Sequence, residues 1–144
     1  MFEQLLILQK NVMKQHAEKD FTSRVDNGLV DRTYCDFYSD ESVFVAEEES
    51  LADALTGGIG LDNRYTFDLT KELVDEIVLV SEKEIAAGIH HAYWHESQIV
   101  EGAGAVAIAS LLANKFSPKG PSLALMCGRN INIEKHFSLI SAKH

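Results

Sequence analysis

The stretch that decides the fold lies in the middle of the chain and has the sequence Glu76-Ile77-Val78-Leu79-Val80-Ser81-Glu82-Lys83-Glu84. Its first five residues are β-branched-rich and apolar, which suits a strand buried in a parallel sheet. Ser81, followed three residues later by Glu84, has the pattern of a capping box, in which each side chain binds the other residue's backbone N–H. The sequence therefore predicts a strand that leads directly into a helix, and this helix should stop by Glu96.

Downstream of this unit, the alternation of helix and strand continues. A Gly- and Ala-rich segment from Glu101 to Leu112 predicts a helix whose small residues permit close approach to a neighbour. After a Gly-Pro turn, residues 122–127 predict a second buried strand, which is broken by Gly128. Asn132 can cap a final helix, whose apolar positions are Ile133, Phe137 and Ile140.

Upstream of residue 76 the pattern is similar but shorter. Residues 43–45 predict a short strand, and Ser50 has the position of an N-cap for a helix that runs through Leu55. Residues 65–73 predict a further helix. Between these two helices lie glycines that allow backbone angles closed to other residues, namely Gly57, Gly58 and Gly60.

The first 42 residues differ in their pattern of apolar and polar residues from the rest. Residues 1–19 have the apolar spacing of an amphipathic helix, whereas residues 20–42 are polar and acidic without a clear period, which predicts a loop. We therefore divide the chain into an N-terminal helix and acidic loop, residues 1–42, and a segment of alternating strands and helices, residues 43–144. That alternation predicts an α/β fold with a partial parallel-sheet layer and flanking helices.

Composition limits the classes of function. Lys and Arg number 13 against 22 Asp and Glu, which gives a net charge of -9. So acidic a surface repels phosphate backbones and anionic lipids, and we expect no nucleic-acid or membrane partner. The two cysteines, Cys35 and Cys127, lie far apart without metal-like spacing, which favours a reducing cytoplasm over a disulfide scaffold. No apolar run approaches the roughly 18 residues that a membrane span needs.

The predicted strand end at residue 127 is the first place to look for a site, because parallel α/β sheets bind ligands at the carboxyl ends of their strands. The run Cys127-Gly128-Arg129-Asn130 offers a thiol, a flexible glycine and polar side chains. It is either a ligand-binding loop or an ordinary turn after a buried cysteine. Glu101, at the start of the Gly- and Ala-rich helix, either complements the helix dipole or faces a cofactor.

Two further patterns have a simpler explanation beside the functional one. Residues 101–105 resemble half of a phosphate-binding loop but lack the full G-x-G-x-x-G spacing, so close helix packing explains the glycines better. His91 and His95 have the i, i+4 spacing that can bind a metal. No third ligand is evident in the sequence, and an ordinary helix face explains this pair better than a metal site does.

Four blocks, taken in order, cover about two-thirds of the chain between Glu48 and Ile140. They are Ser50-Leu51-Ala52-Asp53-Ala54-Leu55-Thr56-Gly57-Gly58-Ile59-Gly60-Leu61-Asp62-Asn63, Leu73-Val74-Asp75-Glu76-Ile77-Val78-Leu79-Val80-Ser81-Glu82, Ile99-Val100-Glu101-Gly102-Ala103-Gly104-Ala105 and Cys127-Gly128-Arg129-Asn130-Ile131. In order and spacing, these blocks resemble the C-terminal part of the tryptophan-synthase-β-like, fold-type II pyridoxal-phosphate enzymes. Within that group the chain is most similar to the threonine/serine dehydratases, including the dehydratase-like proteins of hydroxyectoine utilisation.

The resemblance implies roles for particular residues. Cys127 matches the strand-end Ser, Thr or Cys that lies against the pyridine nitrogen of the cofactor. Such a neutral partner leaves that nitrogen largely unprotonated and so weakens the electron withdrawal by the pyridine ring, which suits β-elimination. Glu101 matches an acid near the cofactor ring, and Gly57 and Gly58 match the turn beneath it. Arg129 departs from the family, whose members often have a small residue there.

The resemblance also implies two blocks that this chain does not match. One is the N-terminal Ser-x-Lys block, which carries the Schiff-base lysine, and the other is the glycine-rich loop that holds the phosphate. Lys10, Lys14 and Lys19 match nothing in the family. Without these blocks, pyridoxal phosphate can be neither linked covalently nor cradled at its phosphate, so we expect no stable binding of the cofactor by this chain alone.

The leading hypothesis is therefore a truncated or split homologue of a threonine/serine dehydratase, inactive by itself. The intact family releases ammonia from a small amino acid to give a 2-oxo acid. The expected partner is a second copy of the chain or a chain that carries the lysine domain. The alternative hypothesis is a non-catalytic module for oligomerisation or interaction.

Overall fold

The computed structural model describes residues 23–27, 49–56, 68, 72–117 and 120–142. These residues form, in chain order, β1 (Ser23–Asn27), a 3-10 helix (Asp53–Leu55), β2 (Glu76–Val80), α1 (Glu82–Trp94), α2 (Gly102–Leu112) and α3 (Ile133–Ser141). The two strands pair in parallel, from Ser23 beside Glu76 to Asn27 beside Val80. The described part of the chain is thus an α/β arrangement with more helix than strand.

The unit formed by β2 and α1 confirms the prediction from the central stretch. Both hydrogen bonds of the capping box are present: Ser81 N donates to Glu84 Oε2 over 2.6 Å, and Glu84 N donates to Ser81 Oγ over 3.5 Å. Lys115 Nζ donates to the same Glu84 oxygen over 2.8 Å and to the Leu79 carbonyl over 2.9 Å. Burial raises the pKa of Glu84, but the hydrogen bonds from Lys115 and Ser81 outweigh it and hold this pKa below its ordinary value of 4.5. The end of β2 and the start of α1 are therefore fixed together.

The core lies between α1 and α2. Ile85, Ile89 and Ala92 of α1 are fully buried. The two helices approach so closely at Gly88 that a Cβ there would lie 2.8 Å from the Ala105 carbonyl oxygen and 3.2 Å from the Ala109 Cβ. Close packing therefore depends on small residues in both helices, as the Gly- and Ala-rich composition of α2 predicted.

The last helix, α3, is attached to α1 near its own end. Its predicted cap is confirmed, since Asn132 Oδ1 accepts a hydrogen bond from Lys135 N over 3.0 Å. Trp94 Nε1 donates to the Ile140 carbonyl over 2.9 Å, and the Ile140 side chain is buried in the core. The other two apolar positions predicted for this helix, Ile133 and Phe137, are exposed instead.

Two predictions upstream of β2 were wrong. Residues 23–27, which fall in the predicted loop 20–42, form β1, because pairing with β2 supplies the backbone hydrogen bonds that its polar sequence does not signal. Ser50 does not cap a helix: its Oγ donates to Glu82 Oε1 over 2.5 Å and accepts from Ala52 N over 3.0 Å. The short 3-10 helix that follows has Ala52 at its N-cap without a side-chain bond.

The predicted buried strand at residues 122–127 was also wrong. The segment is not assigned to a strand, and most of its side chains are exposed, Leu123 by 87%. The physical reason is that a strand exists only beside a hydrogen-bonding neighbour, and the sheet in the described residues contains β1 and β2 alone.

Several predictions fall on residues outside the described ones. They concern the N-terminal helix at 1–19, the strand at 43–45 and the glycines at 57, 58 and 60. The helix predicted at 65–73 is described only at Asp68, which is helical, and at its last two residues, which are helical as well. None of the helices in the described ranges has the length and apolar character that crossing a bilayer requires.

Replacing Ser81 by alanine tests the capping box. The substitution removes the acceptor for Glu84 N, so we expect the free energy of unfolding to fall by about 1 kcal/mol. Urea denaturation followed by far-UV circular dichroism measures the change. Ser138→Ala is a control, because its hydroxyl donates only to a carbonyl within α3, that of Lys135. A loss no larger for Ser81→Ala than for this control would contradict the proposed importance of the cap.

His136 generates a prediction about pH. Its side chain is buried against the Tyr93 ring, with 5.5 Å between ring centroids, and its Nε2 has no hydrogen-bond partner among the described residues. Burial lowers the pKa of His136 below its ordinary value of 6.5. The unfolded chain therefore binds a proton at a higher pH than the folded one, so stability is lost as the pH falls from 6.5 through the folded pKa. His136→Phe should lose less stability between pH 7.5 and pH 5.5, and parallel pH profiles of the two proteins would refute this.

Candidate functional site

The loop at residues 127–130 is bound to the start of α2 by Glu101. Glu101 N donates to the Gly128 carbonyl over 3.1 Å, and Asn130 N donates to Glu101 Oε2 over 2.8 Å. We call these two hydrogen bonds the Glu101 bridge. The Glu101 side chain makes no capping hydrogen bond with its own helix. The structure thus gives this carboxylate a role that neither sequence alternative included, namely fixing the conformation of the loop.

Gly128 is required within this loop for two reasons. Its φ of 85° lies in the left-handed region, which side chains with a Cβ rarely adopt. A Cβ at this position would also overlap the Glu101 carboxylate. The glycine therefore permits both the turn of the loop and the close approach of Glu101.

The glycines of α2 serve close packing, as the sequence suggested. A Cβ on Gly102 would overlap the Leu51 carbonyl, and a Cβ on Gly104 would overlap the Cys127 carbonyl. These residues let two backbone segments approach the helix directly. Gly104 consequently holds the start of the 127–130 loop against α2, while the Glu101 bridge holds its remainder.

An open depression lies beside this loop. Its volume is about 350 Å³, and it is lined by residues 98–100 and 126–129, with Glu96 at its edge. Cys127 is exposed on its wall. The Arg129 guanidinium donates to Gln98 Oε1 over 3.4 Å, so the cation is hydrogen-bonded to the chain that leads into α2. A thiol and a guanidinium therefore share one surface.

The structure brings together the two described residues that the sequence singled out, Cys127 and Glu101, and it adds Gln98, for which the sequence contains no signal. Gly57 and Gly58 lie outside the described residues. Asp53 is exposed in the 3-10 helix. The described part of the site is the 127–130 loop and its support from α2.

The histidines of α1 lie apart from this site. The rings of His91 and His95 stack with 4.5 Å between centroids, and His91 Nε2 lies 3.7 Å from Glu96 Oε1. Within the described ranges, no group of three or more His, Cys, Asp or Glu side chains is arranged to hold a metal ion.

Comparison with solved structures shows which class of fold the chain has. Among solved structures, a threonine deaminase from T.th. matches with a TM-score of 0.73 and 23% sequence identity, over 90% of this chain and 46% of that chain. This likeness establishes the fold as that of the fold-type II pyridoxal-phosphate enzymes.

The sequence comparisons then identify the family. The model of the family "Pyridoxal-phosphate dependent enzyme" matches residues 27–128, and the chain belongs to this family. A Sinorhizobium fredii protein named "Putative threonine dehydratase" is 52% identical over 100 residues, which are 69% of this chain and 30% of that protein. The Escherichia coli "L-threonine dehydratase catabolic TdcB" is 31% identical over 102 residues, again 69% of this chain and 30% of the relative. The chain thus spans less than a third of the length of these relatives.

These findings confirm the resemblance to threonine dehydratases. The division of the chain at residue 42 stays a prediction, as do the cofactor contacts of individual residues. The comparisons give no support to the alternative of a non-catalytic interaction module.

The letters Ser-x-Lys occur at Ser81-Glu82-Lys83, Ser117-Pro118-Lys119 and Ser141-Ala142-Lys143. The first of these has a different structural role. Ser81 is the N-cap of α1, and Lys83 is exposed in the first turn of that helix. The described part of the chain thus uses this serine to start a helix, and the lysine points away from the core.

Replacing Gly128 by alanine tests the requirement for glycine in the loop. We expect the free energy of unfolding to fall by about 1–2 kcal/mol, because alanine is strained at this φ and its methyl displaces the Glu101 carboxylate. Gly120→Ala is the matched control, since no atom lies within 4 Å of the position of its Cβ. Chemical denaturation of both variants gives the comparison, and equal stabilities would contradict the assigned role of Gly128.

Proposed function

We propose that this chain is a truncated or split homologue of a pyridoxal-phosphate-dependent threonine/serine dehydratase, and that it does not catalyse by itself. The observation that carries the proposal is the Glu101 bridge, which brings Glu101 to the loop that begins with Cys127. The names of the relatives support the class of reaction. That reaction is loss of water from threonine or serine, followed by release of ammonia to leave a 2-oxo acid.

The described residues fit one edge of the cofactor ring. Cys127 is exposed on the depression, whose lining also includes Val100, Met126 and Arg129. A thiol is a weak hydrogen-bond donor and acceptor without a charge of its own. Beside the ring nitrogen it would orient the ring without placing a full charge against it.

Pyridoxal phosphate, when bound, supplies the electron sink that such an elimination needs. The part of this chain is to hold the ring edge. Glu101 acts as a positioning residue, because its carboxylate accepts the N–H of Asn130 and so fixes the backbone on which Cys127 lies. Gly104 supports the same backbone from the α2 side. Gly57 and Gly58 remain proposed contacts beneath the ring.

Catalysis also requires a lysine for the covalent link and a loop for the phosphate, and we propose that both come from polypeptide outside these 144 residues. The unmatched Ser-x-Lys block and phosphate loop support this. Most of the length of the relatives has no counterpart in the chain. The expected cytoplasmic location belongs to the same proposal.

The purified chain, mixed with pyridoxal phosphate and L-threonine, should form 2-oxo acid no faster than pyridoxal phosphate alone. The reason is that, among the described residues, no lysine lines the depression beside Cys127. A coupled dehydrogenase assay measures the product, with the full-length Sinorhizobium fredii relative as the positive control. Sustained turnover by the chain alone would overturn the proposal.

A second measurement tests the same proposal without an activity assay. Borohydride reduction followed by peptide mass spectrometry locates every lysine that has captured the cofactor. We expect low labelling spread over exposed lysines such as Lys83 and Lys135. Stoichiometric labelling of a single lysine, lost in its Lys→Arg variant, would argue against a lysine supplied from elsewhere.

A further inference from the structure

The last helix, α3, is attached to the rest of the molecule by few buried side chains, and one of them is a histidine. Among its nine residues, His136 and Ile140 are buried, with 2% and 7% of their surface exposed. Ile133 and Phe137, although apolar, are exposed. Docking of α3 on α1 therefore requires that an imidazole be kept out of water.

Among the described residues, no charged group lies beside the ring of His136 to stabilise a proton on it. From α1, the Tyr93 ring faces it in a T-shaped contact, with 73° between the ring planes, and His90 lies one turn earlier. On α3 itself, Glu134 and Lys135 are exposed. The Nε2 atom is buried without a hydrogen-bond partner. A tyrosine ring offers an imidazolium only a cation–π contact, which does not replace hydration.

We propose that protonation of His136 controls the docking of α3: the charged ring leaves its contact with Tyr93, and α3 separates from α1 while the rest of the molecule stays folded. This inference is independent of the proposed function. Separation breaks the hydrogen bond from Trp94 Nε1 to the Ile140 carbonyl, which is the described polar contact between α1 and the end of α3.

The hinge for this movement lies at residues 131–132. Ile131 packs partly against the core, and Asn132 caps α3, so the two residues belong to different sides of the joint. The Glu101 bridge ends at Asn130, before the hinge, and does not depend on α3. An isolated helix of nine residues is marginal in water, so the separated α3 unwinds and its amides exchange with solvent.

Docking weakens in acid. In the separated helix, the pKa of His136 has its ordinary value of 6.5, whereas burial lowers this pKa in the docked helix. Docking is therefore at full strength above pH 6.5 and weakens as the pH falls toward the docked pKa. Between pH 7.5 and pH 5.5, the ratio of docked to separated α3 should fall by up to about tenfold, because the separated form binds the proton first.

Hydrogen exchange of the full chain, followed by NMR, measures this ratio. The protection factors of the α3 amides, corrected for the effect of pH on intrinsic exchange, should fall by about tenfold from pH 7.5 to pH 5.5. The indole N–H of Trp94, the single tryptophan of the chain, should lose protection with them. The α2 amides should stay at least about tenfold better protected than those of α3, because α3 opens locally.

Variants with a matched control assign the response to one histidine. His136→Gln and His136→Phe remove the titrating ring, so the protection of α3 should be the same at both pH values. His95→Gln is the control, because His95 is an exposed histidine at the end of α1, and it should keep the response. Ile140→Ala should lower the protection of α3 at both pH values without removing the response to pH.

Each outcome decides the proposal. Equal protection of α2 and α3 in the natural chain means that α3 opens only when the whole molecule unfolds, which overturns it. A response to pH that persists in the His136 variants, or that disappears in His95→Gln, overturns it as well. If either substitution of His136 prevents folding, the comparison of α3 with α2 and with the Trp94 indole in the natural chain still decides.

Discussion

The Glu101 bridge is the interaction on which the rest of the site depends. It joins the residue immediately before α2 to the 127–130 loop, whose Asn130 lies 29 positions further along the chain. Because α2 is itself fixed against α1 through the close approach at Gly88, the loop takes its position from the core of the molecule. A carboxylate that accepts a backbone N–H is a stronger acceptor than a neutral oxygen, which makes it suited to holding an exposed turn.

The elements that could be predicted from the sequence are those whose signals are local. The capping box at Ser81 and Glu84 and the side-chain cap at Asn132 define helix starts through atoms only three residues apart. The apolar run of β2 and the small residues of α2 likewise describe their own surroundings. For the two caps, the chain near the element contains the partner that stabilises it. For β2 and α2, composition alone indicates burial and close packing, although their partners lie further along the chain.

The predictions that were wrong concern residues whose structure depends on partners distant in the sequence. β1 is polar and is a strand only because β2 lies beside it, and residues 122–127 have strand-like composition without a neighbour among the described residues. Ser50 has the right spacing for a cap, but its hydroxyl donates a hydrogen bond to the Glu82 carboxylate, 32 residues away. Gln98 lines the depression and contacts Arg129, which is 31 residues away in the sequence. The resemblance to a family predicts that Cys127 and Glu101 share one site, whereas the bridge between Glu101 and the loop depends on tertiary structure.

The same contrast explains how part of a fold can hold part of a site. The helices of the described chain pack against one another, so their arrangement does not depend on a complete sheet. A parallel sheet is different, because each strand needs a neighbour that is distant in sequence. Among the described residues, large apolar side chains are left exposed at residues 123 and 125, in α3, and at Trp94, Ile99 and Leu112, with Leu123, Ile133 and Phe137 the most accessible. On the proposed function, packing between the helices therefore positions the residues of the ring edge.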